Sequence, residues 1–143
     1  MNELLLVVTI AGERVALPAA AVEAVVEIEG LTPVPGAAPH VAGLSALRSR
    51  VVTVIDSHAS LGLDSGGRAR DAVLVVIDGH PYALLVDSVE DVVEAAGEPQ
   101  PLRAAAGAGW ARVASTAVEG EGDLLLLVDL PAMIAGPAAQ AAA

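Results

Sequence analysis

Gly12-Glu13-Arg14-Val15-Ala16-Leu17-Pro18-Ala19-Ala20-Ala21-Val22-Glu23-Ala24-Val25-Val26-Glu27 returns 67 residues later, without a gap, as Gly79-His80-Pro81-Tyr82-Ala83-Leu84-Leu85-Val86-Asp87-Ser88-Val89-Glu90-Asp91-Val92-Val93-Glu94. Eight of the sixteen positions are identical: Gly12/Gly79, Ala16/Ala83, Leu17/Leu84, Val22/Val89, Glu23/Glu90, Val25/Val92, Val26/Val93 and Glu27/Glu94. Matching by the abundance of Ala, Val and Leu alone gives about 0.08 per position, or roughly one to two matches over the stretch. A second echo follows in each half, where Val51, Val54, Ile55 and Asp56 resemble Leu124, Leu127, Val128 and Asp129. The chain therefore reads as two similar units, a first half of about 1–63 and a second of about 71–136, each with about five strands. A unit of ~65 residues is marginal by itself, so an apolar seam shared by both is expected. The two repeated segments are expected to fold as equivalent hairpins.

Outward from the repeat, short Val/Leu runs alternate with turn residues. Leu4–Ile10 meets Ala11-Gly12-Glu13 and resumes at Arg14–Leu17, and Val51–Asp56 follows Arg48-Ser49-Arg50. Ala72–Ile77 meets Asp78-Gly79-His80-Pro81 before Tyr82–Val86, and Ala114–Val118 meets Glu119-Gly120-Glu121-Gly122 before Leu124–Leu130. Val-rich runs of this length, separated by Gly-containing turns, are strands joined as hairpins, with Asp-Gly the strongest signal. Helical signals are confined to a turn after Pro18 and another over Pro131–Ala135. The fold class is mostly β. Thr32–Pro39 is a Pro-rich connection and Gly62–Arg68 a flexible link between the halves. Residues 137–143 have nothing to anchor them and are expected to form a disordered tail, leaving one domain over 1–136.

Composition removes several function classes. Of 143 residues, 55% are hydrophobic, but Phe is absent and Trp and Tyr occur once each, so 30 Ala, 21 Val and 18 Leu must do the packing. There is no Cys, hence no disulfide framework, thiolate metal site or Cys nucleophile. Seven cations, all Arg, face 18 acids for a net charge of -11, which is unsuited to a nucleic-acid backbone. No basic n-region precedes the short apolar run Leu4–Ile10, and Leu31–Leu47 carries Pro33, Pro35 and Pro39, so neither serves as an export signal or spanning helix. The reading is a cytoplasmic protein without membrane insertion.

Catalytic patterns fail one by one. His40, His58 and His80 stand at scattered spacings and read as loop-capping or surface residues, not as metal ligands. No GxSxG elbow is present, Ser88 and Ser115 read as ordinary strand or turn residues, and without Lys there is no phosphate-binding GxxxxGK[ST] loop. Glu119–Asp123 lacks the ligand spacing of a Ca2+ loop and reads as a solvated hairpin. Val75-Val76-Ile77-Asp78 and Leu126-Leu127-Val128-Asp129 imitate the strand-end aspartates of phospho-accepting receivers, but such domains need a lysine and alternating βα units. No enzyme activity, cofactor or metal is expected.

Attention then falls on Arg48 and Arg50, two of the few cations, in the turn of a predicted hairpin. Physics alone leaves two readings even: a solvated turn, or a positive spot that orients an acidic partner through bidentate carboxylate pairing. The run Gly43-Leu44-Ser45-Ala46-Leu47-Arg48-Ser49-Arg50-Val51-Val52-Thr53-Val54-Ile55-Asp56-Ser57 resembles the signature of CheW-like domains, the coupling adaptors of bacterial chemotaxis, roughly GxxNLRGxxxPVxDL. The resemblance extends over nearly the whole chain. Val22-Glu23-Ala24-Val25 looks like the family's VxEI segment, Ala83–Val92 like its GlxVDxVxxV strand, and Asp123–Leu130 with Met133-Ile134 like its closing strand and short helix.

That resemblance implies two five-stranded, SH3-like β-barrel halves around a shared apolar core, with short helical turns. It also implies a non-catalytic adaptor that bridges the cytoplasmic tip of a methyl-accepting chemoreceptor to the regulatory domain of a CheA-type histidine kinase. Carried over by position, the expected partner-binding residues are Arg48, Val22 and Val25, the opening Gly43, and Val89 and Val92 in the second half. The chain departs from the pattern at Ala24 (an acid in VxEI), Ser49 (the glycine after the arginine), Thr53 (proline) and Ser57 (leucine). Ala24 and Ser49 are therefore the positions where partner choice can differ. Alternatives are a stand-alone regulatory CheW-like protein that competes with the ordinary adaptor, or a small-molecule-binding β-barrel or enzyme using the seam between halves.

Overall fold

The computed structural model describes residues 3–47, 49–63, 70–102, 108–114 and 116–141. Turn dipeptides set its local geometry. β1 (Leu4–Ile10) and β2 (Glu13–Pro18) are joined by Ala11-Gly12, β6 (Asp71–Ile77) and β7 (His80–Leu85) by Asp78-Gly79, and β10 (Thr116–Gly120) and β11 (Asp123–Leu127) by Glu121-Gly122. In each turn both φ angles are positive, 51–52° followed by 80–83°. That is the type I′ pattern, whose twist matches that of the flanking strands, and it requires glycine or a tolerant residue. The other elements are β3 (Val22–Glu27), β4 (Val41–Leu47), β5 (Arg50–Asp56), β8 (Ser88–Glu94), β9 (Gln100–Pro101), a 3-10 turn at Ala19–Ala21, and helices α1 (Ser57–Ser60), α2 (Ala108–Val113) and α3 (Leu130–Ala141).

The repeat is visible in the strand boundaries. β6 and β7 begin and end 67 residues after β1 and β2, and β8 ends 67 residues after β3. The mostly-β expectation is met, with one sheet of six strands ordered β8-β1-β2-β11-β10-β9 and one of five ordered β3-β6-β7-β5-β4. Neither sheet belongs to one half of the chain. Each takes a hairpin from one half and inserts it among strands of the other, so β2 runs parallel to β11 and β5 parallel to β7.

This corrects the hairpin expectation for the repeated segments. Gly12–Glu27 and Gly79–Glu94 are equivalent, but each crosses from one sheet to the other: β2 lies in the six-stranded sheet and β3 in the five-stranded one, while β7 and β8 are placed the opposite way. The second crossing is sharp, for the Val86 amide donates to Asp71 O of one sheet and the next amide, Asp87, to Thr9 O of the other, both at 2.9 Å. Each sheet curls back on itself through one bridge, Thr32 with Leu44 and Ala95 with Gly120.

Three apolar clusters follow from alternation along the strands. Leu5, Val7, Ala16, Val93, Val118 and Leu125 fill the concave side of the six-stranded sheet. Val52, Val54, Ala72, Leu74 and Ala83 do the same for the five-stranded sheet. The opposite face of the same strands, including Leu6, Val8, Ile10, Val73, Val75 and Leu84, forms the shared seam. Strands buried on both faces read as continuous hydrophobic runs, which is why β1 and β6 show no polar alternation. Trp110, Val113, Leu130 and Met133 from the helices close the seam.

Three elements escaped the sequence reading: α1, α2 and β9. Four or six residues are too few for helical periodicity, and β9 is a two-residue pairing to β10. The run expected as one strand over Leu124–Leu130 ends at Leu127, because the Asp129 carboxylate accepts from Ala132 N (3.2 Å) and starts α3. The backbone of α3 breaks at Gly136 (φ 75°, ψ 169°), just before Pro137.

Candidate partner-binding surfaces

β3 and β8 carry the apolar positions selected from the sequence, and each contains a β-bulge at the same place in the repeat. Pairing with β6 skips Glu23, between Val22↔Val75 and Ala24↔Leu74. Pairing of β1 with β8 skips Glu90 in the same way, between Val8↔Val89 and Val7↔Asp91. A bulge adds one residue and re-aims its neighbours. Val22 and Val89 consequently pack against the seam, and Ala24 packs against the interior of the five-stranded sheet. Val25 and Val92 remain 49% and 50% exposed. Of the five, these two are exposed and the other three half-buried, and Val25 and Val92 lie on different sheets.

The signature run occupies β4, its turn, β5 and the first residue of α1. Arg48 lies outside the described residues. Ser49 is exposed and held at φ 69°, a left-handed conformation that favours glycine. Arg50 Nη2 donates to Glu23 Oε1, which ties the signature turn to the bulge of β3 and brings Ser49, Arg50, Glu23 and Val25 into one neighbourhood. Gly43 has a packing reason to be glycine: Thr32 and Leu44 exchange two 2.8 Å backbone hydrogen bonds, and a Cβ on Gly43 would stand 2.5 Å from Thr32 O.

The departures from the signature have local partners. Ser57 Oγ donates to Leu85 O at 2.6 Å, and Thr53 sits between Leu44 and Tyr82 in the sheet. Asp56 accepts from Ala59 N at 3.2 Å and so caps α1 as Asp129 caps α3. The strand-end Asp129 that imitates a receiver is thus a helix cap, and Asp78 a turn residue.

At the bulge of β8, Arg14 from β2 takes the part that Arg50 plays at the bulge of β3. Its guanidinium reaches Asp123 (2.9 Å) and Glu90 (3.1 Å), and these hydrogen bonds, Asp123 first, hold its pKa above the usual value. The histidines act as joints or surface residues. His58 Nε2 meets Asp87 Oδ1 at 2.8 Å while Asp87 Oδ2 accepts from Ala11 N, and buried His40 bonds Ile134 O through Nε2 at 2.8 Å. His80 is exposed.

Sequence reasoning missed the two most exposed large apolar side chains among the described residues. Val51 is 63% exposed and its repeat mate Leu124 is 73% exposed. Both follow a hairpin turn inside an unbroken apolar run, where no alternation marks the outward face.

Comparison with known proteins places this arrangement. A family model described as the CheW-like domain matches residues 4–137. The chain belongs to the CheW-like domain family. Among solved structures, the scaffolding protein TtCheW from Thermoanaerobacter tengcongensis is similar to it with a TM-score of 0.78 and 21% identity, over 90% of this chain and 89% of that one. No curated protein matches. Among the described residues, no helix of this CheW-like domain is long and apolar enough to cross a membrane.

Proposed function

We propose that this CheW-like domain is a cytoplasmic, non-catalytic adaptor that couples methyl-accepting chemoreceptors to a CheA-type histidine kinase. The observation that carries the reading is the family match over residues 4–137. The scaffolding role named for the similar structure from Thermoanaerobacter tengcongensis supports it. In this reading Arg48, Ser49 and Val25 meet one partner, with Gly43 and the half-buried Val22 and Ala24 setting the backbone beside them. Val92, with Val89 beneath it, meets the other on the second sheet.

Pull-down from the protein's own cytosol tests the class. Recovery of a histidine kinase together with methyl-accepting receptors supports the adaptor, and stoichiometric recovery of a metabolite with no protein partner overturns it. Arg48→Glu compared with Arg103→Glu tests the site. If the Arg48 guanidinium pairs with a partner carboxylate at a desolvated contact, reversal costs about 2 kcal/mol or more of binding. An exposed change moves stability by only about 0.5 kcal/mol. Selective loss of receptor-tip binding with an unchanged thermal melt is expected. An early melt would make Arg48 structural.

A further inference from the structure

The chain between β8 and β10 bows outward. Ala95 bridges Gly120 and the Ala96 amide donates to Glu119 O at 2.7 Å, yet the next pairing is Gln100 with Ala117. Three residues, Gly97, Glu98 and Pro99, therefore face one residue of β10, and an open groove of about 200 Å3 lies alongside. Ala96 and Ala117 line it as small residues, Glu98 and Glu119 supply carboxylates, and Leu124 forms an apolar wall. Leu124 is the most exposed large apolar side chain among the described residues.

Size and chemistry select the occupant. Sites for metabolites run to about 300–1,000 Å3, so this groove suits one long side chain. A groove that combines an apolar wall with two carboxylates fits the stem and cationic head of Arg or Lys. The chain has no lysine, and Arg14, Arg50 and Arg112 are engaged elsewhere. Neither Glu98 nor Glu119 has a side-chain partner among the described residues. The repeat sharpens the contrast, since Glu121-Gly122-Asp123-Leu124 occupies the place of Arg48-Ser49-Arg50-Val51. Equivalent hairpin turns thus carry opposite charge, each followed by an exposed apolar residue.

We propose that this groove receives an Arg or Lys side chain from a basic segment of a protein partner, separately from the arginine-bearing turn. The proposal rests on the adaptor reading only in making the partner a protein. Nitrogen-15 NMR titration of the full chain with N-acetyl-arginine methylamide tests it, with the norleucine and glutamate analogues as controls. Amide shifts should be confined to residues 96–98, 100, 117–119 and 124. Norleucine should bind about tenfold more weakly or worse, because it lacks the charge-assisted hydrogen bonds. The Glu98→Gln/Glu119→Gln double variant should lose the response, and Leu124→Ser should weaken it. Shifts spread over the whole acidic surface, or an equal response to norleucine, would overturn the proposal. A response that emerges only in Arg103→Gln would also overturn it, by assigning the groove to the chain's own arginine. Kinase and receptor binding measured on the same samples separates the two readings: groove occupancy without either partner sinks the adaptor alone, and partner binding without groove occupancy sinks the groove alone.

Discussion

Ser49 and Gly122 occupy the same position of repeat-related turns, at φ 69° and 83°. A non-glycine residue pays a steric penalty there of about 1–2 kcal/mol. Ser49→Gly should therefore raise stability by about 1 kcal/mol, read as a higher urea midpoint at an unchanged slope, and a lower midpoint would show that the Ser49 side chain holds the turn by contacts of its own. Gly43 is the opposite case. A methyl group 2.5 Å from Thr32 O cannot be accommodated without parting the Thr32–Leu44 bridge. Overpacking of this kind costs about 1–3 kcal/mol, so Gly43→Ala should melt early and lower partner binding only through that loss. The signature singled out both positions, but it could not say what holds them. The backbone of Thr32 reaches Gly43 only because the sheet curls.

At the scale of elements, the three short helices are locked by one side chain. Arg112 of α2 donates to Ala132 O of α3 and to Ser60 O of α1, both at 2.5 Å, and to Ser60 Oγ at 2.8 Å. Ser60 Oγ in turn donates to Met133 O at 2.6 Å. Removal from water lowers the guanidinium pKa. Gly109 completes the joint, because any Cβ there would stand 2.0 Å from Leu61 O. Arg112→Met should cost about 1–3 kcal/mol by leaving carbonyls unpaired, with Lys a poor substitute for the planar fork. A thermal melt of both variants checks this, and full rescue by Arg112→Lys would show that charge alone suffices. Asp129→Ala should cost about 1 kcal/mol through loss of the α3 cap. Nothing in the sequence announced the joint: an arginine amid Ala and Gly carries no periodic signal, and its acceptors come from residues 60 and 132.

For the whole molecule, the interleaved sheets make the halves interdependent. The β1–β2 hairpin is flanked by β8 and β11, and the β6–β7 hairpin by β3 and β5. A hairpin without neighbours is marginal in water. Fragments 1–69 and 70–143 should each lack a cooperative melt, and an equimolar mixture should recover the β-sheet circular dichroism of the intact chain. A fragment that folds alone would show that the seam is dispensable.

Sequence by itself determined what is encoded between near neighbours: the mostly-β class, the Gly-containing hairpin turns, the duplication, the shared apolar seam, and a CheW-like signature that reaches from β4 into α1. Tertiary structure alone decided which sheet each hairpin enters, which of two adjacent valines faces water, and which short runs become helices. The division has a physical cause. Turn conformation is set by two or three consecutive residues, whereas strand partnership is chosen by burying both faces of β1 and β6 at once, and the residues that cover them come from the other half of the chain.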